Sequence, residues 1–286
     1  MSEASPPADG PANGSANCPA GARQRPEEPS SEQAREQARD RAQDRRRVVL
    51  TGASRGIGHA TVKRFSDEGW EVITCSRDAV PEHCLRDPNW THHITADLAD
   101  RSAVDSFVEE ALALVGEGAV HALVNNAAVS PKTEFKERLG CLNGDLDHWR
   151  EVFELNFFAP LALGRGFAAP LRRGQGAIVN ITSIAGHGVH PFAGSAYSTS
   201  KAALSALTRE MAVEFAELNV RVNAVAPGEI ETAMIGEEYE ALIPRIPLHR
   251  MGRPEEVAAT VFRLCTEDFG YVTGTEIFVT GGQHLY

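Results

Sequence analysis

Tyr197 and Lys201 form the pattern Y-x-x-x-K. On a helix this spacing projects both side chains from one face. A free phenol titrates near pH 10, too high for proton transfer at neutrality. A neighbouring ammonium stabilises phenolate and brings that proton towards the working range. The pair is therefore a candidate acid/base couple, although plain exposed helix faces carry the same spacing. A second pattern lies earlier, where Val48-Val49-Leu50 runs into Thr51-Gly52-Ala53-Ser54-Arg55-Gly56-Ile57-Gly58. An apolar run that turns on glycines into a helix points backbone N–H groups at an anion. The missing Cβ atoms let a phosphate approach. A structural turn would use similar residues. The place of this one, at the first strand–helix junction, favours the pyrophosphate of a dinucleotide.

The elements that must hold these groups are legible as alternating segments. Short apolar runs at 48–51, 71–75, 91–95, 120–124, 177–181, 221–225 and 276–279 read as buried parallel strands. Amphipathic stretches near 57–68, 101–115, 145–170, 195–217 and 254–265 read as helices. The alternation predicts an α/β fold: one Rossmann-like, doubly wound, seven-stranded parallel sheet with helices on both faces. It spans 48–286. Residues 1–30 are rich in Pro, Gly, Ser and Ala, and 31–46 carry alanines at helical spacing among charges. Residues 1–47 therefore read as a disordered or partly helical N-terminal extension, either a solvated tail or a partner-binding segment.

Composition removes other classes. The chain of 286 residues carries 28 Lys+Arg and 39 Asp+Glu, a formal charge of -11. Residues 1–47 hold eight Arg and eight acids, so the whole deficit falls on 48–286. An acidic body argues against a nucleic-acid surface, which needs phosphate neutralisation. No apolar run spans a bilayer, and the start lacks a secretory signal. Cys18, Cys75, Cys84, Cys141 and Cys265 form no C-x-x-C pair. This suits reduced thiols and a cytoplasmic protein, with neither a disulfide framework nor a metal site.

Further residues at the strand ends resemble the short-chain dehydrogenase/reductase family, closest in pattern to its 3-oxoacyl-(acyl-carrier-protein) reductase-like members. The glycine loop matches T-G-x-x-x-G-x-G. Asn125-Asn126-Ala127-Ala128 resembles N-N-A-G, and Ala226-Pro227-Gly228-Glu229-Ile230-Glu231-Thr232 resembles P-G-x-I-x-T. Tyr197 and Lys201 stand where the family keeps its catalytic pair. The resemblance implies that Ser183, rather than the competing Thr182, orients a substrate carbonyl. It implies that Asn156 completes the set through a water that relays protons to Lys201. It assigns cofactor contacts to Gly52, Ser54, Arg55, Gly56, Ile57, Gly58, Asp97, Leu98, Asn125, Ala127, Pro227, Gly228, Ile230 and Thr232, with Tyr197 and Lys201. Asp97 could alternatively cap the next helix, and Asn125 could bridge strands. A homotetramer or homodimer is expected from the resemblance alone.

After the second strand stands Cys75-Ser76-Arg77. An acid at this place holds the ribose 2′-OH of NAD. Here Ser76 replaces it, and the Arg77 guanidinium suits the 2′-phosphate of NADP. NADP(H) is thus expected ahead of NAD(H). The implied reaction moves hydride between the nicotinamide and a small-molecule carbonyl or secondary alcohol, with Tyr197 as acid or base. A NAD-dependent alcohol or sugar dehydrogenase and a nicotinamide-binding regulator without turnover are the rival readings. Three nearby segments border the expected pocket. His187 and His190 sit in the loop before Tyr197 and either touch substrate or are solvated. Residues 131–147 form a segment longer than in the acyl-carrier reductases, expected to reshape access. Residues 233–249 are expected to act as a substrate lid.

Overall fold

The computed structural model describes residues 45–79, 87–133, 137–143, 145–232 and 237–286. Residues 1–44 of the expected extension 1–47, Cys84, Phe135 and residues 233–236 of the expected lid lie outside them, and Arg47 of that extension opens the first strand.

Seven parallel strands form one sheet. They are β1 (Arg47–Thr51), β2 (Glu71–Ser76), β3 (Trp90–Thr95), β4 (Ala122–Asn125), β5 (Ala177–Ile181), β6 (Arg221–Pro227) and β7 (Glu276–Val279). Their order is β3-β2-β1-β4-β5-β6-β7. The order reverses between β1 and β4, and a crevice opens at the carboxyl ends of strands at such a switch point. The helices are α1 (Gly56–Asp67), α2 (Arg101–Val115), α3 (Leu146–Phe153), α4 (Ala159–Gly166), α5 (Ala168–Gly174), α6 (Ser195–Ala216) and α7 (Pro254–Leu264).

Side chains alternate across the pleat, so the central strands feed two cores. One face carries Val49, Ile73, Leu123, Ile178 and Val222 against Phe107, Leu163, Phe167 and Met211 of α2, α4, α6 and their flanks. The other carries Val48, Leu50, Val72, Val124 and Val179 against Val62, Phe65, Val257 and Val261 of α1 and α7. On that second face Phe65 meets Trp70 and Phe262 edge-on, at ring separations of 5.1 and 5.2 Å. Such edge contacts add to the area buried.

Two expectations are corrected. The outer strands are not continuously apolar: β3 buries only Trp90 and Ile94, and β7 is half-buried throughout. An edge strand has one neighbour, so fewer of its side chains can be enclosed. The single helix expected over 145–170 is three helices joined by a π turn at Glu154–Phe158 and a break at Phe167. Phe167 leaves helical geometry and is fully buried beside Phe107, at 6.1 Å between rings.

Replacing Phe65 by Ala removes a fully enclosed aromatic ring. Urea unfolding should show a loss of about 3–5 kcal/mol, whereas a loss below about 1 kcal/mol would mean this face of the sheet is not tightly packed.

Candidate active site

The crevice begins at the glycine loop. The Thr51 hydroxyl accepts from the backbone N–H of Asn126 and of Ala127, both at 3.1 Å. The Asn126 side-chain amide donates back to the carbonyls of Thr51 and Gly52, at 3.1 and 2.9 Å. The ends of β1 and β4 are thereby tied together. Gly58 has no room for a side chain, because a Cβ there would lie 1.9 Å from the Gly52 carbonyl oxygen. Gly52 and Gly56 hold φ angles of +71° and +55°, which glycine adopts without strain. Arg55 precedes α1 without a side-chain cap on the helix N–H groups. These unpaired donors suit a phosphate.

From this loop one cleft runs to Tyr197. Gly52, Ser54, Arg55, Gly56, Ile57, Gly58, Ser76, Arg77, Asp97, Leu98, Ala127, Ser183, Tyr197, Lys201, Pro227, Gly228, Ile230 and Thr232 all line it. Asp97 is not the cap of α2. Asp100 caps that helix through Ser102 N–H at 2.8 Å, which leaves Asp97 at the cleft wall. The Ser76 hydroxyl donates to the Asp78 carbonyl at 2.7 Å, so it turns beside the exposed Arg77.

Two expected residues are elsewhere. Asn125 does not line the cleft. Its amide donates to Asn180 Oδ1 at 2.8 Å, and Asn180 donates in turn to Thr208 at 2.9 Å. It bridges β4, β5 and α6, while Asn126 takes the cleft position. Asn156 is also behind the wall, fully buried. Its Oδ1 accepts from Val129 N–H at 2.9 Å, and its Nδ2 donates to the Val129 carbonyl at 3.0 Å and to Ser200 Oγ at 3.1 Å. The π turn is what aims it there. An extra residue in one helical turn displaces the side chain from the ordinary helical track. The strand-end loop at Val129 is thus fastened to α6, which carries Tyr197 and Lys201.

Lys201 is 2% exposed, and its ammonium donates to the Ile181 carbonyl at 2.6 Å. Burial pushes its pKa down to about 7. Burial likewise raises the Tyr197 pKa, a hydrogen bond from Ser183 lowers it, and the charge of Glu229 raises it further. The net direction for Tyr197 is upward, with desolvation the first cause. Each group is held in a desolvated wall, where charging either one is disfavoured. The Lys201 ammonium lies 5.8 Å from the Tyr197 ring centroid. The Ser183 hydroxyl, at the end of β5, also accepts from Ala185 N–H at 3.1 Å, which fixes its direction.

The loop before α6 divides its histidines. His187 pairs with Glu276 at 2.9 Å, away from the cleft lining. His190 lines the cleft, half-buried, with its ring held by Glu229. The segment 131–147 reaches this loop: Arg138 Nε donates to the Ala193 carbonyl at 2.6 Å, and Ser195 N–H donates to the Leu139 carbonyl at 2.8 Å. Tyr239, within the expected lid, also lines the cleft. So does Glu229, which motif matching passed over as the variable position after Pro-Gly. Among the described residues no group of His, Cys, Asp and Glu could hold a metal ion.

A family model described as enoyl-(acyl carrier protein) reductase matches residues 52–284. The chain belongs to the short-chain dehydrogenase/reductase family. It is 49% identical over 240 residues to protein FixR of Bradyrhizobium diazoefficiens, covering 83% of this chain and 86% of that one. A crystal structure of a Brucella ovis oxidoreductase of this family, in complex with a partially ordered NAD, is 48% identical with TM-score 0.71, over 83% of this chain and all of that one. The Pseudomonas aeruginosa RhlG/NADP complex is 30% identical with TM-score 0.74, over 84% and 96%. The protein is therefore an oxidoreductase of a nicotinamide-binding family.

Lys201 has a folded pKa of about 7 against an ordinary 10.5. Between these values the unfolded chain binds more protons, so this group adds stability as pH rises. The unfolding free energy of the natural protein relative to Lys201→Met should therefore climb from about pH 7 to about pH 10. A flat difference in urea titrations across that window would show that Lys201 is not desolvated.

Proposed function

We propose that the protein is a NADP(H)-dependent oxidoreductase that interconverts a small-molecule carbonyl and a secondary alcohol. The observation that carries this reading is one cleft lined at one end by the glycine loop and at the other by Ser183, Tyr197 and Lys201. The residues fit a dinucleotide. The loop offers uncapped helix N–H groups at Arg55–Gly58, and Lys201 has ammonium hydrogens beyond the one given to Ile181. Arg55 and Arg77 would hold phosphates, Asp97 and Leu98 the adenine end, and Ile230 and Thr232 the nicotinamide end. When bound, the reduced nicotinamide supplies a hydride.

This chain's own part is proton chemistry and positioning. In the reductive direction, Ser183 and Tyr197 donate hydrogen bonds to the substrate oxygen, and Tyr197 gives its proton as negative charge develops there. In oxidation the same phenolate removes the alcohol proton. Lys201 stands below the ring to favour the phenolate when cofactor binding brings further polar groups to it. Asn156 holds Val129 and Ser200 in register, and Ser200 Oγ donates to the Tyr197 carbonyl at 2.7 Å. Asn156 thereby supports the tyrosine's place on α6.

NADP is favoured over NAD because Ser76 stands where an acid would hold the ribose 2′-OH of NAD, and Arg77 stands exposed at the cleft. The NAD seen with the Brucella ovis relative supports the alternative. No described helix is long and apolar enough to cross a membrane. A cytoplasmic homotetramer or homodimer completes the proposal. The large exposed side chains Tyr271, Leu285 and Tyr286 suit cover by a second copy.

Arg77→Ala should raise the Kd for NADPH about 10-fold or more while leaving NADH within about 2-fold. Equal effects on both, measured by fluorescence titration, would overturn NADP preference. Tyr197→Phe should cut turnover on a panel of ketones by about 100-fold or more without losing cofactor binding. Undiminished turnover would remove the tyrosine mechanism.

A further inference from the structure

Glu229 is a buried carboxylate in the wall of the cleft that bears Tyr197, and its side chain is only 4% exposed. Its backbone is pinned, because Gly252 N–H donates to the Glu229 carbonyl at 2.8 Å. Its Oε1 accepts twice, from His190 Nε2 at 2.7 Å and from Gln283 Nε2 at 3.1 Å. A buried carboxylate needs hydrogen-bond donors, and the strongest here would be an imidazolium at His190.

The geometry of His190 does not provide that charge. Its Nδ1 faces two backbone donors, Phe192 N–H at 3.2 Å and Ala193 N–H at 3.1 Å. A nitrogen that accepts two hydrogen bonds carries no proton, so the ring has its single proton on Nε2. His190 is therefore a neutral donor, and Gln283 is another. Tyr239 stacks over the His190 ring, 6.1 Å between centroids and 30° between planes, and fixes its orientation. The outcome is an aimed carboxylate with one oxygen occupied. No hydrogen bond among the described residues uses Oε2, in a residue that lines the cleft.

We propose that Glu229 is a specificity-determining residue: its free oxygen takes a hydrogen-bond donor, a hydroxyl or an ammonium, carried by the substrate close to the reacting carbonyl. This rests on reading the cleft as a carbonyl/alcohol site. The substrate's carbonyl oxygen lies at Ser183 and Tyr197, and its donor turns towards Glu229. A substrate with a methyl group in that place strips water from the carboxylate and returns nothing. Discrimination of this kind is strong, because the enzyme's own buried group is left unpaired. A substrate with a carboxylate there meets like charge.

The test compares cyclohexanones that bear a hydroxyl, an ammonium or a methyl group on the carbon next to the carbonyl. Each is assayed for kcat/KM with NADPH and NADH, and for binding to the protein–NADP⁺ complex by calorimetry. The natural protein should favour the hydroxyl or the ammonium compound over the methyl compound by about 10- to 100-fold. The preferred arm identifies the donor. Glu229→Gln keeps an oxygen for His190 and Gln283 and turns an NH₂ into the cleft, so it should reduce that preference to within about 3-fold. Glu229→Asp, which keeps the charge, should retain part of it.

Equal handling of all three ketones by the natural protein overturns the proposal. So does a preference that Glu229→Gln leaves intact. Should Glu229→Gln unfold, the three ketones on natural protein and Glu229→Asp decide the matter alone. Donor-selective binding with no turnover of any ketone would uphold the role of Glu229 and overturn the redox reading. Turnover without donor selectivity would do the reverse.

Discussion

Lys201 places an ammonium in a wall where water barely reaches it, and the surrounding structure exists to make that tolerable. One of its hydrogens goes to the Ile181 carbonyl at 2.6 Å, at the carboxyl end of β5. That bond requires α6 to lie against β5 in one register. The Asn125–Asn180–Thr208 chain fixes the same register lower in the sheet. Asn156 then fastens the loop after β4 to Ser200, next to Lys201 on the helix. A loss at any of these points would leave a buried polar group unpaired, which costs more than the bond itself contributes. The desolvation that depresses the lysine pKa also raises that of Tyr197, so the resting site stores two neutral-leaning groups.

The cleft follows from this clamp and from the glycine loop together. Thr51 and Asn126 join the ends of β1 and β4, where the strand order reverses. The loop's phosphate donors and the α6 pair therefore open onto one space. An acidic protein can bind a polyanion there because the positive groups are local: Arg55, Arg77, Lys201 and the start of α1. The buried carboxylate of Glu229 stands in the same cleft, against His190 of the loop before α6.

Much of this was legible in the chain. Alternating apolar and amphipathic segments gave the seven strands nearly in place, since buried parallel strands tolerate few polar residues. The β4 run starts two residues later and ends one later than expected, at Ala122–Asn125, because Val120 is as buried as the strand but donates its N–H to the Pro170 carbonyl instead of to a neighbouring strand. The helix at 145–170 hid its π turn, because inserting one residue barely disturbs the apolar period. The motifs contained most of the residues that line the cleft, since they lie at the carboxyl ends of the strands, where the crevice opens. They did not show that the amides of Asn125 and Asn156 serve backbone and side-chain partners distant in sequence.

Residue types and spacing alone determined the class of fold, the glycine turn into the first helix, and the placing of Tyr197 and Lys201 on one helix. These depend on local periodicity, glycine geometry and a helix face, all carried within short segments. The tertiary structure decided what no short segment encodes. It made Asn156 a clamp, paired His187 with Glu276 away from the cleft lining, and set His190 in the cleft against Glu229. Burial and hydrogen-bond partners come from segments separated by tens of residues. The charge, direction and ligand of a side chain are therefore settled only once those segments meet.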